Sequence, residues 1–136
     1  MDKREIIEAK YAIQNSIETV DEVLNDLKSA KNWGLFDIFG GGGLSSYIKR
    51  NKIKKINQKI DFLEDQLRTT EKEMNDINIA SEFKVSNGSF DFAFDVFFDN
   101  IFTDLRTQSQ LSELNDKLTT LKGKLISALE EIDKLL

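Results

Sequence analysis

The sequence predicts an all-α fold: an elongated antiparallel three-helix bundle or coiled coil with aromatic and Gly-rich junctions. Three observations predict it. Apolar residues recur at steps of three and four along three long stretches, which is the period of a helix face and not of a strand. No Pro occurs anywhere in the chain, so no helix interior loses a backbone donor or meets a ring clash. Charged residues make up 32% and apolar residues 40% of the 136 positions, a balance that suits thin apolar stripes on long helices better than a thick core.

The first helix is expected over residues 2–31. Ile6, Ile13, Val20 and Leu27 recur every seven residues. Ile17 and Leu24 widen the stripe to a bundle-type face. Asp2 followed by Glu5 fits a capping box, and Lys28 and Lys31 suit the negative end of the macrodipole. Gly34 is a plausible stop. At about 1.5 Å per residue the helix is a rod of about 45 Å.

An aromatic junction follows at 32–43: Asn32, Trp33, Gly34, Leu35, Phe36, Asp37, Ile38 and Phe39, then Gly40 to Gly43. Four successive glycines lose too much backbone entropy to continue a helix. Ser45 or Ser46 can cap the second helix, expected over 45–80. Its seam is Ile53, Ile56, Ile60, Leu63, Leu67, Thr70, Met74 and Ile77, an a/d pattern over more than three heptads. Ser86-Asn87-Gly88 is a turn signal. A second aromatic junction spans 90–100. The last seam, Leu111, Leu114, Leu118, Leu121, Leu125, Ala128, Ile132 and Leu135, belongs to a third helix expected over 102–135. A single long helix from Ser89 is the alternative. The links at 32–43 and 81–89 are short for such helices, which favours antiparallel neighbours and places the two aromatic motifs at opposite ends. A strict two-position stripe also leaves room for a partner helix or a second copy.

Shifting the chain by 58 residues aligns Phe36-Asp37-Ile38-Phe39 with Phe94-Asp95-Val96-Phe97. At the same offset Ile53, Ile56, Ile60, Leu63 and Leu67 fall on Leu111, Leu114, Leu118, Leu121 and Leu125. The seams alone would align in any two heptad helices; the aromatic match is the part that suggests an internal repeat in a single domain, 1–136.

Composition narrows the function. The chain has no Cys and no His. It therefore lacks thiolate chemistry, a disulfide framework, the commonest general base and the usual transition-metal ligands. Asp91, Asp95 and Asp99 repeat at helical spacing, with no loop of Ca²⁺-ligand spacing beside them. No catalytic residue, metal or cofactor is expected, and the chain is read as not an enzyme. The net charge of −5 argues against nucleic acid as the main partner. No stretch of about 18 apolar residues is present to span a membrane, and the charged start lacks an apolar signal core. The expected location is the cytoplasm, with leaderless export still open.

Two candidate surfaces remain. Trp33, Phe36, Phe39, Phe94, Phe97 and Phe98 are candidate partner-binding residues, either exposed as aromatic anchors or folded onto the bundle end. Lys49, Arg50, Lys52, Lys54, Lys55 and Lys59 form a basic run that suits an anionic surface or nucleic acid, or else serves acids elsewhere in the fold. The glycine run lacks the strand and Gly-Lys-Ser/Thr of a phosphate loop and reads as a turn.

The helix–Trp–Gly–helix layout of residues 1–80 resembles the WXG100 family, small helical hairpins secreted by type VII systems. Those carry Trp-x-Gly at the turn, whereas Trp33 and Gly34 are adjacent here. The family's Tyr-x-x-x-Asp/Glu export pattern is not met, since Tyr11 and Tyr47 are followed at that spacing by Asn15 and Asn51. The resemblance implies a secretion-associated partner or chaperone-like role. The Asn-Trp-Gly segment running through glycines into a Lys-rich helix also resembles uncharacterised bacterial helical proteins, which implies no activity. The functional expectation is a non-enzymatic scaffold acting by protein–protein contact, with a protein or a second copy of itself as partner, and an anion-binding module as the alternative.

Overall fold

A computed structural model describes residues 3–32, 45–80 and 111–136. They form α1 (Lys3–Asn32), α2 (Ser45–Ala80) and α3 (Leu111–Asp133). The all-α expectation holds, and the helices pack as a bundle in which α1 lies along both α2 and α3. Beyond Asp133 the backbone tightens into a turn, with Leu135 N donating to Ile132 O at 2.9 Å. The two aromatic junctions, and the question of whether the third helix starts near Ser89 or Phe102, lie outside the described residues.

The stripe on α1 is wide because it serves two neighbours. Ile6, Ile13, Val20 and Leu27 are buried, and so are Ala9, Ser16, Val23 and Ala30, each three residues on. Thr19 extends the buried face on one side; Ile17 and Leu24, partly buried, extend it on the other. The Ala9–Ser16–Val23–Ala30 row is small, and helix axes approach more closely where contact side chains are small. On α2 the buried seam is Ile56, Ile60, Leu63, Leu67, Thr70 and Met74; on α3 it is Leu114, Leu118, Leu121, Leu125, Ala128 and Ile132. Each fully buried Leu or Ile contributes about 1.5–3 kcal/mol relative to exposure. Six described positions of each seam are thus covered within one chain, and those positions leave no room for a partner helix of the kind their two-position pattern allowed.

Long-range pairs fix the directions. Lys59 Nζ lies 2.9 Å from Asp26 Oδ2, and farther along, Thr70 Oγ1 lies 2.9 Å from Ser16 Oγ. Rising numbers on α2 meet falling numbers on α1, so the two are antiparallel. The same holds for α3: Lys122 Nζ is 2.7 Å from Asp21 Oδ1, and Lys10 Nζ is 2.9 Å from Asp133 Oδ1. Both α2 and α3 thus run against α1, and they run parallel to each other. A simple alternation of three helices would have set α3 against α2. By register, the lower-numbered described ends of α2 and α3, Ser45 and Leu111, both lie toward the end of the bundle where α1 finishes. These two helix ends are therefore not at opposite ends of the bundle.

The two registers coincide. Along α1, Asp21 meets Lys122, and subtracting the offset of 58 gives position 64. That is the level at which α2 passes Asp21, five residues beyond the Lys59–Asp26 contact. All six buried seam residues of α2, from Ile56 to Met74, have a buried counterpart on α3 at this one offset.

Candidate functional site

Polar contacts distinguish the two flanks of α1. The deepest is a hydroxyl pair. Ser16 and Thr70 are both fully buried, and their hydroxyls meet at 2.9 Å across the α1–α2 interface. Ser16 Oγ also donates to Ala12 O at 2.9 Å. Thr70 Oγ1 reaches Ala12 O at 3.1 Å and Gln66 O at 2.9 Å. Two protons therefore find acceptors among two carbonyls and two hydroxyls, and neither buried group is left unpaired, which would cost about 1–3 kcal/mol. Thr70 was legible as a seam position; Ser16 had no signal beyond falling three residues on from the Ile stripe. On α3 the position equivalent to Thr70 is the buried Ala128.

The basic run is drawn onto α1 in part. Lys59 and Lys55 approach the two oxygens of Asp26, at 2.9 and 3.7 Å. Asp26 Oδ2 is buried and gains no hydrogen bond of good geometry, so Lys59 serves it as a countercharge. Lys52 Nζ donates to Ser29 Oγ at 3.0 Å. Lys54 is exposed. The side chains of Lys49 and Arg50 lie outside the described residues. Three of the four described cations of the run thus contact the neighbouring helix, the arrangement in which a Lys-rich face answers acids elsewhere in the fold.

At the opposite end, α1 and α2 bring carboxylates together. Burial, then the charges of Glu8, Asp76 and Glu5, push the Glu73 carboxyl above its ordinary value, with Lys72 opposing them. On α2 itself, the buried Glu64 is held by Arg68 at 2.9 Å, one turn along.

The aromatic candidates Trp33, Phe36, Phe39, Phe94, Phe97 and Phe98 all lie outside the described residues. Within them, the exposed aromatic rings are Tyr11 and Phe62, at 59% and 57% exposure. The sequence pattern passed over both, although each falls between seam positions. Ile7 stands one turn before Tyr11 and is also exposed. Phe62 sits near the level of Val23, about 18 Å along the axis from Tyr11 at 1.5 Å per residue, so the two do not merge into one patch. Among the described residues no group of three or more His, Cys, Asp or Glu is placed to hold a metal ion. No described helix is long and apolar enough to cross a membrane.

No protein-family model matches the chain, and comparison with curated proteins and with solved structures finds no match.

Proposed function

We propose that the chain is a non-enzymatic helical scaffold that works by protein–protein contact, with the end of the bundle where α1 finishes as its docking end. The observation that supports this reading is that α2 and α3 run parallel to each other and against α1, so that the lower-numbered ends of both lie toward that end of the bundle. Trp33 follows Asn32 directly, and the offset that aligns the two seams also aligns the 36–39 and 94–97 aromatic motifs. We take the chain to be an internal duplication in which a Phe-Asp-aliphatic-Phe motif leads into each of two equivalent helices. Large aromatic residues concentrate binding energy at protein interfaces, which makes Trp33, Phe36, Phe39, Phe94, Phe97 and Phe98 the candidates for contact. The seams are consumed inside one chain, so contact with a partner or a second copy falls to the ends and outer faces. The contacts of Lys52, Lys55 and Lys59 with α1 favour a structural role for the basic run over anion binding.

The test compares the wild-type chain with Trp33→Ala and Phe94→Ala. Both variants are expected to keep wild-type helical content by circular dichroism. At least one should change the mass measured by light scattering or lose proteins captured by the wild-type chain. Unchanged mass and unchanged capture in both would overturn the reading.

A further inference from the structure

We infer that the positions of α2 and α3 on α1 are decided by a short polar code, because their apolar seams do not distinguish them. This rests on the matched registers of the two helices and not on how the repeat arose. The seams are equivalent at all six buried positions, and five of the six pairs are apolar on both sides. The helices run in the same direction at the same level on α1. An exchange, with α3 in the place of α2 and the reverse, would leave the apolar burial nearly unchanged.

The polar contacts do not survive that exchange. In the native placement Asp26 meets Lys55 and Lys59; after exchange it would meet their counterparts Glu113 and Lys117, one of them an acid. Asp21 meets Lys122; after exchange it would face Glu64, a reversal of charge. Lys10 meets Asp133; after exchange it would face Asn75. Ser16 would lose the Thr70 hydroxyl and face Ala128. Apart from Lys59, whose counterpart Lys117 keeps the cation, each of these substitutions by the counterpart removes an attraction or adds a repulsion. The code is spread along both flanks of α1, so it acts against a shift of register as well as against exchange. Single polar residues in helical interfaces fix register and partner in this way at some cost in stability.

Zero-length carbodiimide coupling with mass spectrometry reads the code directly, since it joins a lysine to a carboxylate only in contact. In the wild-type chain the expected products are Asp26–Lys59 and Asp21–Lys122, with Asp26–Lys117 at background. The inverted variant carries Lys55→Glu, Glu113→Lys, Glu64→Lys, Lys122→Glu, Thr70→Ala and Ala128→Thr. In it, Asp26–Lys117 should displace Asp26–Lys59, with the product ratio moving by about tenfold or more, the sum of several such pairs. A second variant, Thr70→Val with Lys122→Met, only erases part of the code and conserves apolar volume. There Asp26–Lys117 should rise above its wild-type level with helical content unchanged. If the inverted variant folds and still couples Asp26 to Lys59 alone, the inference is overturned. If it does not fold, the second variant decides: no rise in Asp26–Lys117 overturns the inference.

Discussion

Thr70→Val removes one hydroxyl and leaves volume and branching in place, so it isolates the polar term of the α1–α2 interface. Thr70 is fully buried, and Val in its place keeps the apolar contacts of the seam. What is lost is the contact to Ser16 at 2.9 Å and the hydroxyl's bonding to Gln66 O at 2.9 Å and Ala12 O at 3.1 Å. Ser16 keeps its bond to Ala12 O, so no buried donor is orphaned. The expected cost is that of an ordinary intramolecular hydrogen bond, about 0.5–1.5 kcal/mol, or roughly 2–7 °C in Tm for a chain of this size. Ser16→Ala should cost a similar amount. The double variant is the informative one. With both partners apolar there is nothing left to desolvate, and its loss should be close to that of one single variant, not to the sum. Urea denaturation followed by circular dichroism, with all four proteins at one concentration, gives the cycle. Additive losses, agreeing to within about 0.3 kcal/mol, would mean that the two hydroxyls serve only their own helices, and the reasoning would fail.

Two further outcomes follow from the same geometry. Leu67→Ala and its counterpart Leu125→Ala remove equally buried side chains and should each cost about 2–5 kcal/mol; urea midpoints differing by more than the spread of repeated measurements would argue against equivalent seams. Glu73→Gln addresses pH: a carboxyl raised above 4.5 in the folded state binds more protons folded than unfolded. Its contribution is therefore fully present below about pH 4.5 and lost as pH rises through the folded value. The variant should be more stable than wild type at neutral pH, and the advantage should vanish in acid; a difference independent of pH would refute the assignment.

Much of the fold was legible in the residues. Ile6 to Leu27, Ile56 to Met74 and Leu114 to Ile132 announce their helices by period alone, because a helix returns every third or fourth side chain to one face. Ser16 was hidden, since a small polar residue carries no pattern until its partner is known. Tyr11 and Phe62 were equally silent, because a ring off the seam reads the same whether it meets solvent or a neighbour.

The sequence by itself determined that the chain is helical, which faces are apolar, and that two of its helices share one pattern at an offset of 58. It did not determine their direction. An a/d seam looks the same read from either end, so periodicity cannot say whether α3 runs with α1 or against it. That was decided by tertiary contacts between residues far apart in the chain, Lys10 with Asp133 and Asp21 with Lys122. The same contacts assign each lysine its acid and each helix its flank of α1. They act across about the width of a helix and leave no trace at local spacing, which is why only the folded chain displays them.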